Sequence, residues 1–434
     1  MKFYSTNNKN KFVSFKEAVL NGLADDGGLF MPEFIPQFDK NFINDLKNLS
    51  FQEIAFEIAH KFIKDEIEST ELKKIINKTL NFPAPLVNLN DNLAILELFH
   101  GPTLAFKDFG ARFMAEVISH FNNEKFNILV ATSGDTGSAV AGGFFGKENI
   151  NVFLLYPSGK VSEIQEKQLT TWGGNITALE IEGTFDDCQR LVKEAFVDKE
   201  LNSQKKFSSA NSISIARLLP QIFYYFEAYK QLKNSNNISR QTVVCVPSGN
   251  LGNLTAGIIA KMMGLPIDKF ISATNRNDIF TNYINTGNFE PRASVQTLSN
   301  AMDVGNPSNF ARIINVYKNL YEEIKGDVYS ATFSDEETLE AIKEVYKKYN
   351  YVIDPHGAVG YLAVQKFVKE NNIQNAASII LETAHPAKFL DTVEHAIDKK
   401  VEIPARLKEC FHKEKRSTIL QNDFTMFKKF LLNN

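Results

Sequence analysis

Five short apolar runs constrain this chain more than any other feature. They lie at 127–131, 152–156, 242–246, 270–273 and 378–381, each ending in a turn before a helical stretch. The turns include Thr132-Ser133-Gly134-Asp135-Thr136-Gly137, Pro157-Ser158-Gly159 and Pro247-Ser248-Gly249-Asn250. Apolar strand, turn and helix in repetition is the pattern of βαβ units around a parallel sheet buried on both faces. The two clusters of this pattern, 126–185 and 240–385, predict two α/β domains with a binding cleft at the carboxyl ends of the strands.

Before these clusters the texture is different. Phe51–Ile63 and Ile67–Leu80 place apolar residues three and four apart, the spacing of amphipathic helices, and Pro83 and Pro85 then break the pattern. The expected division is a helical N-terminal segment (1–92), a larger α/β domain (93–125 with 235–434) and a smaller one (126–234). Gln204-Lys205-Lys206 and Lys233-Asn234-Ser235-Asn236-Asn237 read as loops, the second as a boundary, and Lys413–Arg416 as a solvated charge run.

Composition removes several function classes. Lys and Arg number 48 against 51 Asp and Glu, so no basic excess exists for nucleic acid. Cys188, Cys245 and Cys410 lie far apart, which excludes a disulfide scaffold and a CxxC metal site; no HExxH occurs, and no metal is expected. No apolar run of about 18 residues suggests a membrane span. Met1–Asn7 leads into polar sequence without a signal-peptide core, so the expected compartment is the cytoplasm.

Three segments carry candidate chemistry. Gly249-Asn250-Leu251-Gly252-Asn253 joins a strand to a helix, where free N–H groups and the helix dipole suit a phosphate, though an ordinary βα turn has the same look. Residues 132–137 offer hydroxyls and amides for a second anion, or simply an N-cap. Lys107 sits between Phe106 and Phe109 in a stretch poor in charge. A desolvated lysine has a lowered pKa and can serve as nucleophile or base. His356 and His385 read as hydrogen-bonded structural histidines, and His100 as a residue able to line a site.

The segment Phe99–Gly110, with Lys107 near its middle, resembles the pyridoxal-phosphate lysine motif of the threonine synthase family. Tyr4–Thr6, Gly22–Pro32, Ala131–Gly137, Gly183–Gln189, Ala210–Gln221, Val246–Gly257 and Thr383–Phe389 resemble further blocks of that family, in family order. The likeness is to its longer form. It implies the tryptophan synthase β-like α/β fold (fold type II) and pyridoxal 5'-phosphate as cofactor. Lys107 would form the Schiff base. Gly249, Asn250, Leu251, Gly252 and Asn253 would hold the cofactor phosphate, Thr383 the pyridine nitrogen, and Asp135 would lie near the phenolic oxygen. Thr103, Ser133, Gly134 and Thr136 would bind the substrate's amino-acid end, and Asn211, Ser212 and Arg217 its phosphate, with Arg217 reaching back along a helix.

The implied substrate is O-phospho-L-homoserine, converted with water to L-threonine and phosphate. The longer form implies a monomer, with a dimer as the alternative; the charge balance and the lack of a long apolar run are what argue against a nucleic-acid or membrane partner. The signature begins within the first residues, so the extension by which plant relatives respond to S-adenosylmethionine is not expected. A serine or threonine dehydratase of the same fold is the alternative enzyme, with a phospho-lyase that shares the phosphate clamp a closer rival. A cofactor-binding regulatory relative without turnover is the alternative from another class.

Overall fold

The computed structural model describes all residues except 235–240 and 374–375. The chain divides into two compact units. The first comprises Met1, 31–106 and 218–402; the second comprises 2–30, 107–217 and 403–434.

The first unit is built on a six-stranded sheet with spatial order Val328–Thr332, Lys269–Thr274, Gln241–Pro247, Ala376–Glu382, Leu93–Glu97, Leu86–Asn90. All neighbours are parallel except the last pair. The central runs TVVCVP and AASIILE are almost wholly buried, as a sheet covered on both faces requires. Ile95, Val243, Cys245, Ile271 and Ile380 interlock with Ala358, Tyr361 and Val364 of the helix Pro355–Glu370. The helix Phe51–Ile63 forms where the periodicity places it, opened by a Ser50–Glu53 capping box; Ile54, Ile58, Phe62 and Ile63 form its buried face. The second expected helix spans Ser69–Thr79.

The second unit has a five-stranded, fully parallel sheet with order Thr418–Gln421, Ile176–Glu182, Ile150–Pro157, Phe126–Ala131, Phe207–Ser209. Leu129, Phe153, Leu155, Leu179 and Ile181 fill its core together with Phe427 and Leu431 of the helix Phe424–Asn433.

The units divide the chain differently from the sequence expectation, for identifiable reasons. Residues 418–421 add a strand to the second unit's sheet instead of completing the first unit. The helix Lys107–Phe121 belongs to the second unit because it lies close against Asp135–Phe144; a Cβ on Gly143 would stand 3.0 Å from the Ala111 carbonyl. The first 30 residues are not purely helical either. Phe3–Ser5 and Asn8–Val13 form an antiparallel hairpin, and Phe15 of the following helix meets Phe121 with ring centroids 6.1 Å apart. The run at 233–237 is also redrawn: Lys233 and Asn234 end the helix Phe223–Asn234, and 235–237 lie outside the described residues. Of Gln204-Lys205-Lys206, Gln204 ends the helix Lys199–Gln204, and only Lys205 and Lys206 form a loop.

Candidate functional site

In the first unit the parallel strands Gln241–Pro247 and Ala376–Glu382 are neighbours, with Cys245 opposite Ile380, so their carboxyl ends emerge side by side. The first leads into Gly249–Asn253 and the second into Thr383.

The helix Gly252–Met262 begins at Leu251, which adopts the left-handed conformation (φ +59°), and no side chain caps it. Its first amide donors are therefore available to an anion. Gly249 has no room for a side chain: a Cβ there would stand 2.8 Å from Met302 Cα and 2.9 Å from the Ala301 carbonyl oxygen. Asn253 is buried; its Oδ1 accepts from the hydroxyls of Tyr224 at 2.7 Å and Tyr225 at 2.8 Å. Its Nδ2 has no hydrogen-bond partner among the described residues. Asn250 is tied down from two sides, by the Ser308 N–H to its Oδ1 and by Asn309 Nδ2 to its carbonyl at 2.9 Å. Arg312, fully buried, donates to Asn309 Oδ1 at 2.7 Å; burial pulls its guanidinium down to about 9. A close-packed turn, a donor-rich helix start and a buried amide with an unused N–H fit a phosphate such as that of pyridoxal phosphate.

Thr383 is buried, and its carbonyl accepts the Phe106 N–H at 2.9 Å. Ala105 bridges Ala384, His385 N–H donates to the Leu104 carbonyl at 3.1 Å, and Lys388 Nζ donates to the carbonyl of buried Thr103 at 3.1 Å. The 103–106 segment is thus stitched along 383–388, which fixes where the chain enters Lys107. Lys107 is half-buried and is the first residue of its helix. The sequence-derived cofactor residues Gly249, Asn250, Leu251, Gly252, Asn253 and Thr383 accordingly share one unit, together with Thr103. His100 pairs through Nε2 with Glu97 at 2.7 Å, and burial pulls the His385 imidazole down to about 4.

The remaining candidates lie in the second unit. In the loop 132–137, the Thr132 hydroxyl accepts the N–H groups of Gly134 (3.0 Å) and Gly137 (2.8 Å). Gly134 occupies the N-cap of Asp135–Phe144 and offers no side chain; the Thr132 hydroxyl takes the Gly137 amide of the first turn instead. Ser133 and Thr136 are half-buried; Asp135 is buried and accepts from Gln165 Nε2 at 3.3 Å. Asn211 Nδ2 donates to the Ala131 carbonyl at 2.9 Å, so the strand end before this loop is held by the next candidate segment. Ser212 is half-buried. Arg217, in the helix Ile215–Leu218, does reach back: its Nη1 donates to the Ala210 carbonyl. It is 3% exposed, and burial, opposed by the charge of Asp108, leaves its guanidinium at about 10, still cationic at neutral pH.

Sequence reasoning missed several contributors. Gly110 is needed so that Arg217 can approach; a Cβ would stand 2.9 Å from both Arg217 Nε and its carbonyl oxygen. A glycine inside a helix was the available signal. Gln165 and Asn309 act through contacts remote in sequence, to Asp135 and Asn250, and left no local trace; Arg312 acts on the site only through Asn309.

Comparisons with known proteins bear on all of this. A family model described as "Threonine synthase N terminus" matches residues 2–80, one described as "Pyridoxal-phosphate dependent enzyme" matches 78–382, and one described as "Threonine synthase, C-terminal" matches 357–431. The chain is 44% identical over 435 residues to the threonine synthase of Haemophilus influenzae, covering 100% of both chains. It resembles the crystal structure of threonine synthase from Escherichia coli with a TM-score of 0.94 at 43% identity, covering 100% of both. It resembles the pyridoxal-phosphate-bound threonine synthase of Brucella melitensis with a TM-score of 0.92 at 35% identity, covering 100% of this chain and 99% of that one.

Proposed function

The chain belongs to the threonine synthase family of pyridoxal-phosphate-dependent enzymes, and from that premise we propose that it converts O-phospho-L-homoserine and water to L-threonine and phosphate. The observation that carries the substrate assignment is Arg217, a buried cation held at the Ala210 carbonyl beside Asn211 and Ser212. A dehydratase acting on an unphosphorylated amino acid has no use for such a cation.

Bound pyridoxal phosphate supplies an electron sink for the negative charge that develops at the substrate's carbons. The chain's own residues have separate tasks. The amides of Gly249–Asn253 bind the cofactor phosphate. Lys107 would provide the amine that holds the cofactor, and the same amine, when not so engaged, would take the Cα proton and return it. Thr383 offers the pyridine nitrogen a neutral hydroxyl. Unlike a carboxylate, a hydroxyl there would not force that nitrogen to stay protonated, which would moderate the sink. Thr103, Ser133, Gly134 and Thr136 would orient the substrate's carboxylate end, and Asp135, whose carboxylate accepts from Gln165, would serve the cofactor's phenolic oxygen. Asn211, Ser212 and Arg217 take the substrate phosphate until it leaves as an anion.

We extend the proposal to a monomer working in the cytoplasm without nucleic-acid or membrane partners. Among the described residues no helix is long and apolar enough to cross a membrane, and Cys188, Cys245 and Cys410 form no disulfide. Light scattering that gives the mass of two chains would remove the monomer.

The test is direct. Purified protein is incubated with O-phospho-L-homoserine, and phosphate and threonine are both measured. Equal molar release is expected. Phosphate without threonine would make the chain a phospho-lyase, and deamination of serine or threonine alone would make it a dehydratase. Borohydride reduction followed by peptide mapping should leave the cofactor mass on Lys107; a mass on any other lysine removes Lys107 from its role.

A further inference from the structure

A buried side-chain pair behind the cofactor residues reaches both ends of their cradle. Asp354 is the N-cap of the helix Pro355–Glu370, and His356 lies in its first turn; both are at most 1% exposed. Asp354 Oδ1 accepts the His356 and Gly357 N–H groups and His356 Nδ1, the last at 2.9 Å. Its Oδ2 accepts the Ala384 N–H at 3.0 Å, immediately after Thr383. Its own N–H donates to Glu382 Oε1 at 2.7 Å, immediately before Thr383. Asp354 therefore grips both chain neighbours of the residue assigned to the pyridine nitrogen.

His356 extends the connection to the other end. Its Nε2 faces the Ala301 N–H at 3.2 Å. A backbone amide can only donate, so Nε2 is the acceptor and the ring proton sits on Nδ1, where it bonds Asp354. The Ala301–Met302 turn held in this way is the surface against which Gly249 packs, with a Cβ-equivalent distance of 2.8 Å to Met302 Cα. An uninterrupted chain of contacts thus runs from Thr383 through Asp354 and His356 to the phosphate turn.

We propose that Asp354 and His356 are positioning residues that set the spacing between the pyridine end and the phosphate end of the cofactor site. The proposal rests on the assignment of Gly249–Asn253 to the cofactor phosphate and of Thr383 to the ring nitrogen. The groups surrounding the pair agree with a rigid, dry support. Burial, and then the neighbouring Asp354, push the Glu382 carboxyl far above the carboxylate range, which keeps it neutral. Phe389 packs on the His356 ring with centroids 5.1 Å apart. On the outer side Glu97 is engaged by Tyr351 and His100.

The two ends can be read separately with two probes, pyridoxal 5'-phosphate and pyridoxal, which lacks the phosphate. Both are titrated by visible absorbance into the full chain stripped of cofactor, without substrate. His356→Asn is too short to reach Ala301 and leaves that amide without its acceptor. It should weaken pyridoxal phosphate about tenfold or more while changing pyridoxal by no more than about twofold, since the half-buried Ala301 donor loses its partner beside the phosphate turn. His356→Gln can place its Oε1 on the Ala301 N–H and should keep the wild-type ratio of the two affinities. Asp354→Asn puts a donor among donors and should weaken both probes about tenfold or more.

A merely structural role would lower the melting temperature and weaken both probes together in every variant. Equal losses of the two probes in His356→Asn, with the wild-type preference for the phosphorylated probe intact, overturn this inference alone. A His356→Gln variant that loses the ratio also overturns it. A wild-type chain that does not distinguish the two probes overturns the phosphate-turn assignment and this inference with it. None of these outcomes depends on which substrate the enzyme processes.

Discussion

Gly249→Ala tests the phosphate turn most sharply. The added methyl would lie 2.8 Å from Met302 Cα and 2.9 Å from the Ala301 carbonyl oxygen, with Val304 at 3.3 Å. The first two are backbone atoms and cannot rotate away. Ordinary contact begins near 3.4 Å, so the turn or its neighbour must retreat by roughly 0.6 Å. Overpacking of that order costs about 1–3 kcal/mol, and the mobile partner is the uncapped turn at Leu251 rather than the 300–302 segment that His356 holds. If the strain falls on the turn, the affinity for pyridoxal phosphate drops by about 5- to 150-fold, at about 1.4 kcal/mol per decade. The assay is the absorbance titration of the stripped chain. Gly326→Ala is the control: nothing lies within 4 Å of its Cβ position, and alanine in the helix Tyr321–Asp327 should be neutral or slightly stabilising. A Gly249→Ala affinity within about twofold of wild type would refute the claim that this close approach shapes the phosphate site; a loss equally large with pyridoxal would place the damage elsewhere.

Three further outcomes are expected. Arg217→Lys keeps a charge but cannot hold the Ala210 carbonyl and a phosphate together, so kcat/KM for O-phospho-L-homoserine should fall by about 1–3 kcal/mol with cofactor affinity unchanged; unaltered kcat/KM removes Arg217 from the clamp. Gly110→Ala pushes on Arg217 from the helix behind it and should produce a smaller loss of the same kind; a loss of cofactor affinity instead would contradict this. Acid stability should report Lys415. Burial works against ionisation of Glu180, but Lys415, Ser158 and Tyr156 hold it down at about 2 against an ordinary 4.5. A depressed carboxyl stabilises the fold above its unfolded value and loses that contribution as pH falls through the folded one. The gap in melting temperature between wild type and Lys415→Met should therefore be full at neutral pH and close between 4.5 and about 2; a constant gap over that window would exclude the coupling.

The solvated charge run at Lys413–Arg416 is thus only partly so, because Lys415 also bridges Glu166 and Glu180 at 2.7 Å each. That difference is typical of where the sequence stops informing. Local rules were legible: the branched runs at 242–246 and 378–381 are central strands, Ser50–Glu53 opens a helix where the periodicity begins, and the segments 132–137 and 249–253 mark two helix starts whose N-cap residues lend no side chain. Each depends on residues within a turn or two of one another, and the side-chain period and cap chemistry act at that range. The ordered family blocks added Lys107 and its partners by likeness rather than by physics.

Tertiary structure alone decided the rest. Nothing near 418–421 announces that this strand pairs with 176–182; the choice is made when Phe427 and Leu431 find the second unit's core. Nothing near Asp354 announces that its carboxylate grips Ala384, or that His356 meets Ala301. These contacts join residues 30 to more than 230 positions apart, and their strength comes from burial that exists only once both sheets have formed. The sequence by itself carried the elements and the chemical groups. Which buried groups brace which loops is a property of the packed interior, where an amide or carboxylate removed from water must find a partner wherever the fold has placed one.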